Sequence, residues 1–338
     1  MNPGVPADVV SLLAASASVV VSVSGGKDSA ATALWLTDLG IPHERVFCDT
    51  GWEHPSTYDY ISGPLTQKLG EIKVLRHNHQ WPSSIRLPLL RAEGVPKEEI
   101  TQAETELASV FAPIMETAAQ EVEAVLGWRS DFVRMAISET VFPSRIQRWC
   151  TRHLKFRPVK SYLQTKENPV NVVGIRRDES EARSRVAEVE FADDMDAWVW
   201  RPLVAWSLDD VIACHKRHGL APNPLYLKGA SRVGCYPCIF ARKEEIAALD
   251  DPRVRAIRML EKHVSWFAAE RARRAGKDRD ESGSTMFYES NSDENWPIDK
   301  VMEWARTTRG GRQVQLFAAR PSDAGCMRWG LCDTGGDK

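Results

Sequence analysis

The sequence predicts an α/β protein with a doubly wound, mostly parallel sheet. Short apolar runs alternate with helical patterns through the first third of the chain, and the first run, Val19 to Ser24, leads directly into a glycine pair. Strands that alternate with helices indicate βαβ units, in which neighbouring strands run parallel. Of the 338 residues, 43% are hydrophobic and 27% are charged, as is ordinary for a globular protein.

The elements can be placed one after another along the chain. We predict, in chain order, a helix at 27–39, a strand at 45–49, a helix at 56–69, and strands at 72–76, 171–174 and 197–202. Ser207 and Asp210 can each satisfy a free amide at a helix start, so a further helix begins there, runs to about His218 and stops at Gly219.

The pattern also divides the chain into four parts. An acidic, Ala- and Glu-rich stretch predicts a helical insertion at 81–145, which separates the first part of the α/β domain at 1–80 from its remainder at 146–242. Residues 243–338 form a C-terminal region, in which 244–275 predicts a charged amphipathic helix or a pair of helices. Two cysteines follow in the tail.

Net charge and cysteine content limit the binding partners and the cellular compartment that we expect for this protein. A net charge of −2 gives no sign of a strongly basic protein, although a local basic patch is left open. No apolar run is long enough to span a bilayer, and the stretch from Val9 to Val23 lacks a positive leader. We therefore expect a cytoplasmic protein without a membrane partner. Seven cysteines, an odd number, do not indicate a disulfide framework there.

Residues 24–29, Ser-Gly-Gly-Lys-Asp-Ser, lie between the first strand and the first helix, and we call them the phosphate loop. Glycines let the backbone approach an anion, and the amides at a helix start point towards it. Lys27 adds a full positive charge. The Walker-A spacing is absent, so this is a different kind of phosphate-binding loop.

The loop resembles the PP-loop of the adenine-nucleotide α-hydrolase superfamily, and later blocks narrow the resemblance to the PAPS (phosphoadenosine phosphosulfate) reductase family. These blocks, in family order, are Cys48-Asp49-Thr50-Gly51, Gly174-Ile175-Arg176-Arg177-Asp178 with Arg183, Arg201-Pro202-Leu203, Asn223-Pro224-Leu225-Tyr226 and Gly234-Cys235-Tyr236-Pro237-Cys238. The resemblance spans roughly residues 19–240.

This resemblance implies a nucleotide site in which Lys27 and Asp28 are catalytic. The residues that it places on the nucleotide are Ser24, Gly25, Gly26, Lys27, Asp28, Ser29, Asp49, Thr50, Gly51, Arg176, Arg177 and Arg183. Guanidinium groups suit phosphate or sulfate oxygens, and open α/β sheets bind ligands at the carboxyl ends of their strands. The alternative for the arginines is a network of surface ion pairs with the acidic residues beside them.

Three cysteines resemble the metal ligands of the same family. Cys235 and Cys238 form a C-x-x-C pair, and Cys150 matches the family's first cysteine block, although Thr151 replaces its second cysteine. A 4Fe-4S cluster needs four thiolates, and Cys326 is the candidate for the fourth. Zinc on the same thiolates, a redox pair, or two buried thiols are the alternatives.

The two cysteines near the C-terminus bear on whether the reaction uses a cysteine nucleophile. Sulfonucleotide reductases of the family carry a nucleophilic cysteine in a Glu-Cys-Gly-Leu-His motif, which is missing here. Cys332, in Gly330-Leu331-Cys332, stands in a comparable place and is our candidate nucleophile. A tail cysteine that ligates a cluster cannot also attack.

Three functions follow from the resemblance. The first is a sulfonucleotide reductase that acts on PAPS or APS with a thiol donor such as thioredoxin. The second is an ATP pyrophosphatase and sulfurtransferase of the DNA phosphorothioation type, with Mg²⁺, a DNA or RNA acceptor and a sulfur-donor protein. The third is a non-catalytic sensor, against which the intact Lys27 and Asp28 argue. The order of the family's blocks along the chain favours the reductase, whereas the single cysteine in Trp149-Cys150-Thr151 favours the ATP pyrophosphatase.

Overall fold

A six-stranded sheet lies at the centre of the protein. The computed structural model describes residues 7–15, 18–85, 95–274, 283–288, 295–307 and 329. The strands stand in the order β3-β2-β1-β4-β6-β5. Their bounds are β1 Ser18–Ser22, β2 Glu44–Asp49, β3 Lys73–Arg76, β4 Pro169–Val173, β5 Val189–Ala192 and β6 Ala197–Trp200.

The sheet confirms the predicted doubly wound, mostly parallel architecture. Every neighbouring pair is parallel except β5 and β6. The chain winds outward from β1 to β3 and then returns to β4 on the other side of β1, where Val20 pairs with Asn171. The winding direction therefore reverses between β1 and β4, which is where such sheets form a crevice for a ligand.

The edge strand β5 was not predicted from the sequence. Two of its four residues, Glu190 and Phe191, are exposed, so the segment has no apolar pattern of its own. It forms because it pairs with β6 in antiparallel fashion, with Val189 opposite Trp200. A strand of this kind is specified by its partner rather than by its local sequence.

The helices flank this sheet and fill the insertion and the C-terminal region. They are α1 Ala7–Ala15, α2 Lys27–Asp38, α3 Pro55–Tyr60, α4 Thr66–Leu69, α5 Lys97–Leu126, α6 Asp131–Glu139, α7 Trp149–Thr151, α8 Arg157–Leu163, α9 Leu208–His218, α10 Pro224–Leu227, α11 Lys243–Ala247, α12 Asp251–Arg274 and α13 Ile298–Ala305. Two π-helical turns, Ile61–Leu65 and Arg152–Phe156, join α3 to α4 and α7 to α8. A two-stranded hairpin pairs β7 Phe287–Tyr288 with β8 Asn295–Trp296.

The predicted helix start at Ser207 is confirmed in detail. The Ser207 hydroxyl accepts from the Asp210 amide at 3.2 Å, and the Asp210 carboxylate accepts from the Ser207 amide at 2.8 Å. The helix ends at Gly219 as expected. It packs against α2, which is buried along most of its length because it lies between α9 and the sheet.

The described parts of the insertion and of the C-terminal region are mostly helical, as predicted, and share one apolar core. Phe111 on α5 lies 6.0 Å from Phe267 on α12 between ring centroids, and the same cluster continues to Trp52 beside the sheet. The stretch at 244–275 is the predicted pair, α11 and α12. Among the described residues, no helix is both long and apolar enough to cross a bilayer.

Candidate active site

The phosphate loop follows β1 and lies at the point where the winding of the sheet reverses. Gly25 has φ +73°, a left-handed conformation that side-chain-bearing residues rarely adopt. Gly174, which follows β4, approaches so closely that a Cβ there would lie 2.7 Å from the Asp28 carbonyl oxygen. The two strands thus bring the predicted loop and the predicted arginine segment into direct contact.

The loop is shaped by its own serines. The Ser29 hydroxyl accepts a hydrogen bond from the Ser24 amide at 3.1 Å and donates to the Gly26 carbonyl at 3.1 Å. The Ser24 hydroxyl lies 3.2 Å from the Ser29 hydroxyl. Ser29 is buried. These bonds close the loop into a fixed turn at the amino end of α2, as an anion site at a helix start requires.

Lys27 and Asp28 lie side by side at the start of α2. The Lys27 ammonium is 3.4 Å from the Asp28 carboxylate, and its side chain is only 11% exposed. The other Asp28 oxygen accepts from Arg176 Nε at 2.5 Å. One carboxylate therefore holds both cations in place at the amino end of α2, the end of a helix that favours an anion.

Of the three predicted arginines, only Arg176 faces the phosphate loop in this structure. It is buried, and although burial lowers its pKa, the carboxylates of Asp28 and of the neighbouring acid Asp178 together raise that pKa above its ordinary value. Arg177 donates to the Val186 carbonyl at 3.2 and 3.3 Å, and Arg183 pairs with the adjacent acidic residue Glu179 at 2.5 Å. The three guanidinium groups do not converge, and nucleotide contacts for Arg177 and Arg183 stay predictions.

Three residues that the sequence did not mark as functional hold the loop from outside. The Lys27 amide donates to the Tyr226 hydroxyl at 3.3 Å, and the Lys27 carbonyl lies 2.8 Å from His215 Nε2. Asn223 donates to the Gly25 carbonyl at 3.3 Å. The Lys27 ammonium also lies 4.7 Å above the Tyr226 ring. The only sequence signal was the Asn223–Tyr226 block of the resemblance, to which no role was attached.

The second predicted loop, at Asp49–Gly51, follows β2 at the same edge of the sheet. Asp49 accepts from the Gly51 amide and from the Tyr58 hydroxyl, at 2.9 and 2.8 Å, and pairs with Arg76 at 2.7 Å. Thr50 donates to Glu53 at 2.8 Å. Glu53, which the sequence reasoning missed, is buried and also binds Tyr58, at 3.0 Å. Burial and these two carboxylates raise the pKa of Tyr58, so its hydroxyl stays protonated and donates to both.

The turn at Cys235–Cys238 is fastened to this second loop. The Tyr236 amide donates to the Trp52 carbonyl at 2.8 Å, and the Trp52 indole donates to the Pro237 carbonyl at 3.1 Å. Glu53 and Cys235 form a β-bridge. The cysteine pair is therefore held against the loop that follows β2. That loop lies at the same edge of the sheet as the phosphate loop, which follows β1.

Burial raises the pKa of the Cys150 and Cys235 thiols, and the Cys238 thiol adds to the rise in both. Burial raises the pKa of Cys235 to about 11, while the nearby Lys155 ammonium opposes that rise. Within the part of the chain that the structure describes, no three His, Cys, Asp or Glu side chains are arranged to hold a metal ion. The predicted fourth ligand, Cys326, lies outside the described residues, so the cluster stays a prediction.

Cys332 also lies outside the described residues. Of the chain after residue 307 the structure describes only Trp329, which is buried. Its ring centroid lies 5.2 Å from that of His215 and 6.4 Å from that of Tyr226, the two side chains that hold Lys27. The one described residue of the tail thus packs behind the phosphate loop.

Comparison with known proteins matches most of these segments to one family. Residues 18–86 and 114–241 match the model of the phosphoadenosine phosphosulfate reductase domain. An uncharacterised 37.8 kDa protein of Escherichia phage 186 is 32% identical, over 93% of this chain and 96% of its own length.

Two further matches either cover a smaller share of this chain or have a lower sequence identity. An adenosine 5′-phosphosulfate reductase of Streptomyces coelicolor is 38% identical over 19% of this chain and 28% of its own length. The crystal structure of a PAPS reductase from Candida auris superposes with a TM-score of 0.39 and 13% identity, over 64% of this chain and 81% of that one.

Proposed function

This chain belongs to the phosphoadenosine phosphosulfate reductase domain family, and from that membership we propose that it holds the phosphate chain of an adenine nucleotide at Lys27 for sulfur chemistry. The observation that most supports this is the convergence of Lys27 and Arg176 on Asp28 where the winding of the sheet reverses. Lys27 and Arg176 beside the amino end of a helix favour an anion.

The reaction that we favour is reduction of a sulfonucleotide, PAPS or APS. The Cys332 thiolate would attack the sulfur atom, so that an S–S bond forms while the S–O bond to the phosphate breaks and its electron pair leaves with the nucleotide. A thiol donor such as thioredoxin would then supply two electrons and release sulfite. Nearby cations such as Lys27 and Arg176 would favour the attacking thiolate and the anionic leaving group.

A second candidate is an ATP pyrophosphatase that prepares an acceptor for sulfur insertion. The single cysteine in Trp149-Cys150-Thr151 favours it, because the family's cluster-bearing reductases carry two cysteines there. The phosphate loop would hold the β and γ phosphates while an acceptor oxygen attacks the α-phosphorus and pyrophosphate leaves. Mg²⁺ would bind at Asp28, where it would replace one of the two cations that the carboxylate now holds.

Nucleotide choice separates the two candidates. Sulfite release from PAPS or APS with a thiol donor supports reduction, whereas conversion of ATP to AMP and pyrophosphate supports transfer. Lys27→Ala should lower either activity by about 100-fold or more, because a preorganised charge at the reacting phosphate is lost. Lys68→Ala, at an exposed position on α4, is the matched control. Calorimetry that detects no association with ATP, APS or PAPS would refute the nucleotide site.

The role of Cys332 has its own test. Cys332→Ser should abolish sulfite release from PAPS or APS but leave nucleotide affinity near the wild-type value, since the serine hydroxyl is a far weaker nucleophile. A variant that still reduces the sulfonucleotide would rule out Cys332 as the attacking group.

We also propose that Cys150, Cys235 and Cys238, with Cys326 as fourth ligand, hold a 4Fe-4S cluster, which would supply an electron carrier beside the nucleotide. The C-x-x-C spacing of Cys235 and Cys238, and the match of Cys150 to the family's first cysteine block, support this. Protein purified without oxygen should show a broad brown absorbance that Cys150→Ala removes. A colourless protein that contains zinc by elemental analysis would replace the cluster with a tetrahedral zinc site.

A further inference from the structure

One long segment of this near-neutral protein is free of acidic residues. The chain contains 46 Asp and Glu among its 338 residues, yet none occurs between Glu139 and Glu167. The same segment carries Arg145, Arg148, Arg152, Lys155, Arg157, Lys160 and Lys166. A segment with one sign of charge creates a local field that net charge conceals.

The lysines of this segment are already engaged inside the protein. Lys160 donates to the Asp194 carbonyl at 2.6 Å, and Lys166 pairs with Glu44 at 2.6 Å. Lys155 lies beside Cys235 and is hydrogen-bonded to it. These three cations therefore serve the fold or the cysteine site.

The arginines are placed differently. Arg145, Arg148 and Arg152 are exposed, and none of them pairs with a carboxylate anywhere in the described ranges. We call these three residues the arginine face. Guanidinium groups without counter-charges repel one another where they lie close together, so a polyanion that bound them would relieve that repulsion.

An aromatic ring supports the arginine face. The guanidinium carbons of Arg145 and Arg148 lie 5.9 and 5.3 Å from the centroid of Phe240, which stands two residues after Cys238. Between the two arginines, Ile146 is 95% exposed. Cations that alternate with exposed apolar and aromatic surface are typical of sites that bind both the phosphates and the unpaired bases of a nucleic-acid strand.

The arginine face is also connected to the nucleotide end of the sheet. The residue after Arg152, His153, lies 6.0 Å from His77 between ring centroids, and His77 follows β3 directly. Arg76, which precedes His77, pairs with Asp49 in the second predicted loop. A nucleic-acid strand bound along Arg145, Arg148 and Arg152 would run from the cysteine turn towards the nucleotide end of the sheet.

We propose that the arginine face binds a single strand of nucleic acid, with phosphates on Arg145, Arg148 and Arg152 and unpaired bases against Ile146 and Phe240. The binding is independent of which nucleotide Lys27 holds. Its role as the acceptor of the reaction rests on the proposed function, and specifically on the pyrophosphatase candidate. Planar guanidinium groups suit phosphate oxygens, and unpaired bases can pack against apolar and aromatic side chains.

Fluorescence anisotropy with a labelled single-stranded oligonucleotide tests the proposal. The triple variant Arg145→Ala, Arg148→Ala, Arg152→Ala should weaken binding by about 10- to 100-fold and reduce the slope of log K against log salt by about 2, the value for three lost phosphate contacts. The matched control removes three exposed cations elsewhere, as Arg255→Ala, Lys262→Ala, Arg306→Ala, and should bind like the wild type. Equal binding by wild type and triple variant would overturn the proposal.

A second variant separates nucleic acid from other polyanions. Ile146→Ser should weaken oligonucleotide binding but leave heparin binding unchanged, because heparin has no bases. Duplex DNA or an acidic protein that binds more tightly than the single strand would overturn the assignment. Lys27→Ala should keep oligonucleotide affinity while it loses nucleotide turnover, so a failed acceptor site and a failed nucleotide site give different results.

Discussion

At the scale of single residues, the central feature is a lysine whose peptide groups are held by side chains far along the chain. Tyr226 accepts from the Lys27 amide, and His215 contacts the Lys27 carbonyl at 2.8 Å. Both are buried. The loop thus has its shape before any ligand arrives, which lowers the entropy cost of binding a phosphate.

Tyr226→Phe removes one of these contacts and keeps the ring under the Lys27 ammonium. We expect nucleotide affinity to fall by about 3- to 10-fold, because a hydrogen bond of this kind contributes about 1 kcal/mol to the loop geometry. Calorimetric titration with the preferred nucleotide measures the change. Tyr60→Phe is the control, since its hydroxyl also donates to a carbonyl, that of Ala221 at 2.8 Å, and not to one of the phosphate loop. Equal losses in both variants would show that Tyr226 has no specific role.

A buried histidine predicts how stability depends on pH. Burial lowers the pKa of His79 to about 4, helped by the neighbouring imidazole of His77 and by two arginines. As the pH falls, His79 is therefore protonated in the unfolded chain before it is protonated in the folded protein. His79 contributes stability fully above about pH 6.5 and loses it as the pH falls towards 4, by up to about 3 kcal/mol. Urea unfolding at pH 7.5 and 5.0 should show a smaller difference for His79→Gln than for the wild type, and an unchanged difference would contradict this.

At the scale of elements, α12 is the link between the C-terminal region and the active site. Its Arg253 is buried and donates to the Glu53 carbonyl at 3.1 Å. The guanidinium group lies 4.4 Å from the Trp52 ring and 5.2 Å from that of Tyr236. One arginine thereby fixes both the loop after β2 and the cysteine turn, and burial lowers its pKa to about 10.

Arg253→Lys keeps the charge but loses the planar group that fits between these rings. We expect a loss of about 2–4 kcal/mol in the free energy of unfolding, because a compact ammonium cannot stack in the same way and stays buried. Arg255→Lys, exposed on the same helix, should change stability by less than about 0.5 kcal/mol. Urea denaturation compares the two. Similar values for both variants would mean that α12 is held by its apolar face alone.

At the scale of the whole molecule, one apolar core joins segments that are far apart in the sequence. One cluster lies against the sheet, while another runs from Trp52 and Trp149 through the insertion to α12 and α13. The insertion buries its apolar face on the C-terminal helices. We therefore expect these parts to unfold together.

Leu260→Ala tests this, since Leu260 is fully buried on α12. The cavity should cost about 2–5 kcal/mol. Urea transitions followed by tryptophan fluorescence and by far-ultraviolet circular dichroism should shift together, with coincident midpoints. Val110→Ala, at an exposed position on α5, should leave both midpoints in place. Separate transitions in the variant would show that the C-terminal region folds as an independent unit.

Several features were determined by the sequence alone because they depend on short stretches of chain. The glycine pair before α2, the mutual capping of Ser207 and Asp210 and the alternation of strands with helices involve neighbours in sequence, and the structure has all three. The ordered blocks also identified the family, since five motifs in one order rarely arise by chance. Local hydrogen bonds and periodicity are properties that a sequence displays directly.

The tertiary structure decided what depends on partners distant in the chain. Arg176 and not Arg177 turns towards Asp28, because Gly174 brings the end of β4 against the start of α2. Tyr226 and His215 became part of the site only through the packing of α9 and α10 beside the phosphate loop. Long-range contacts are chosen by topology and close packing, which no stretch of sequence encodes by itself.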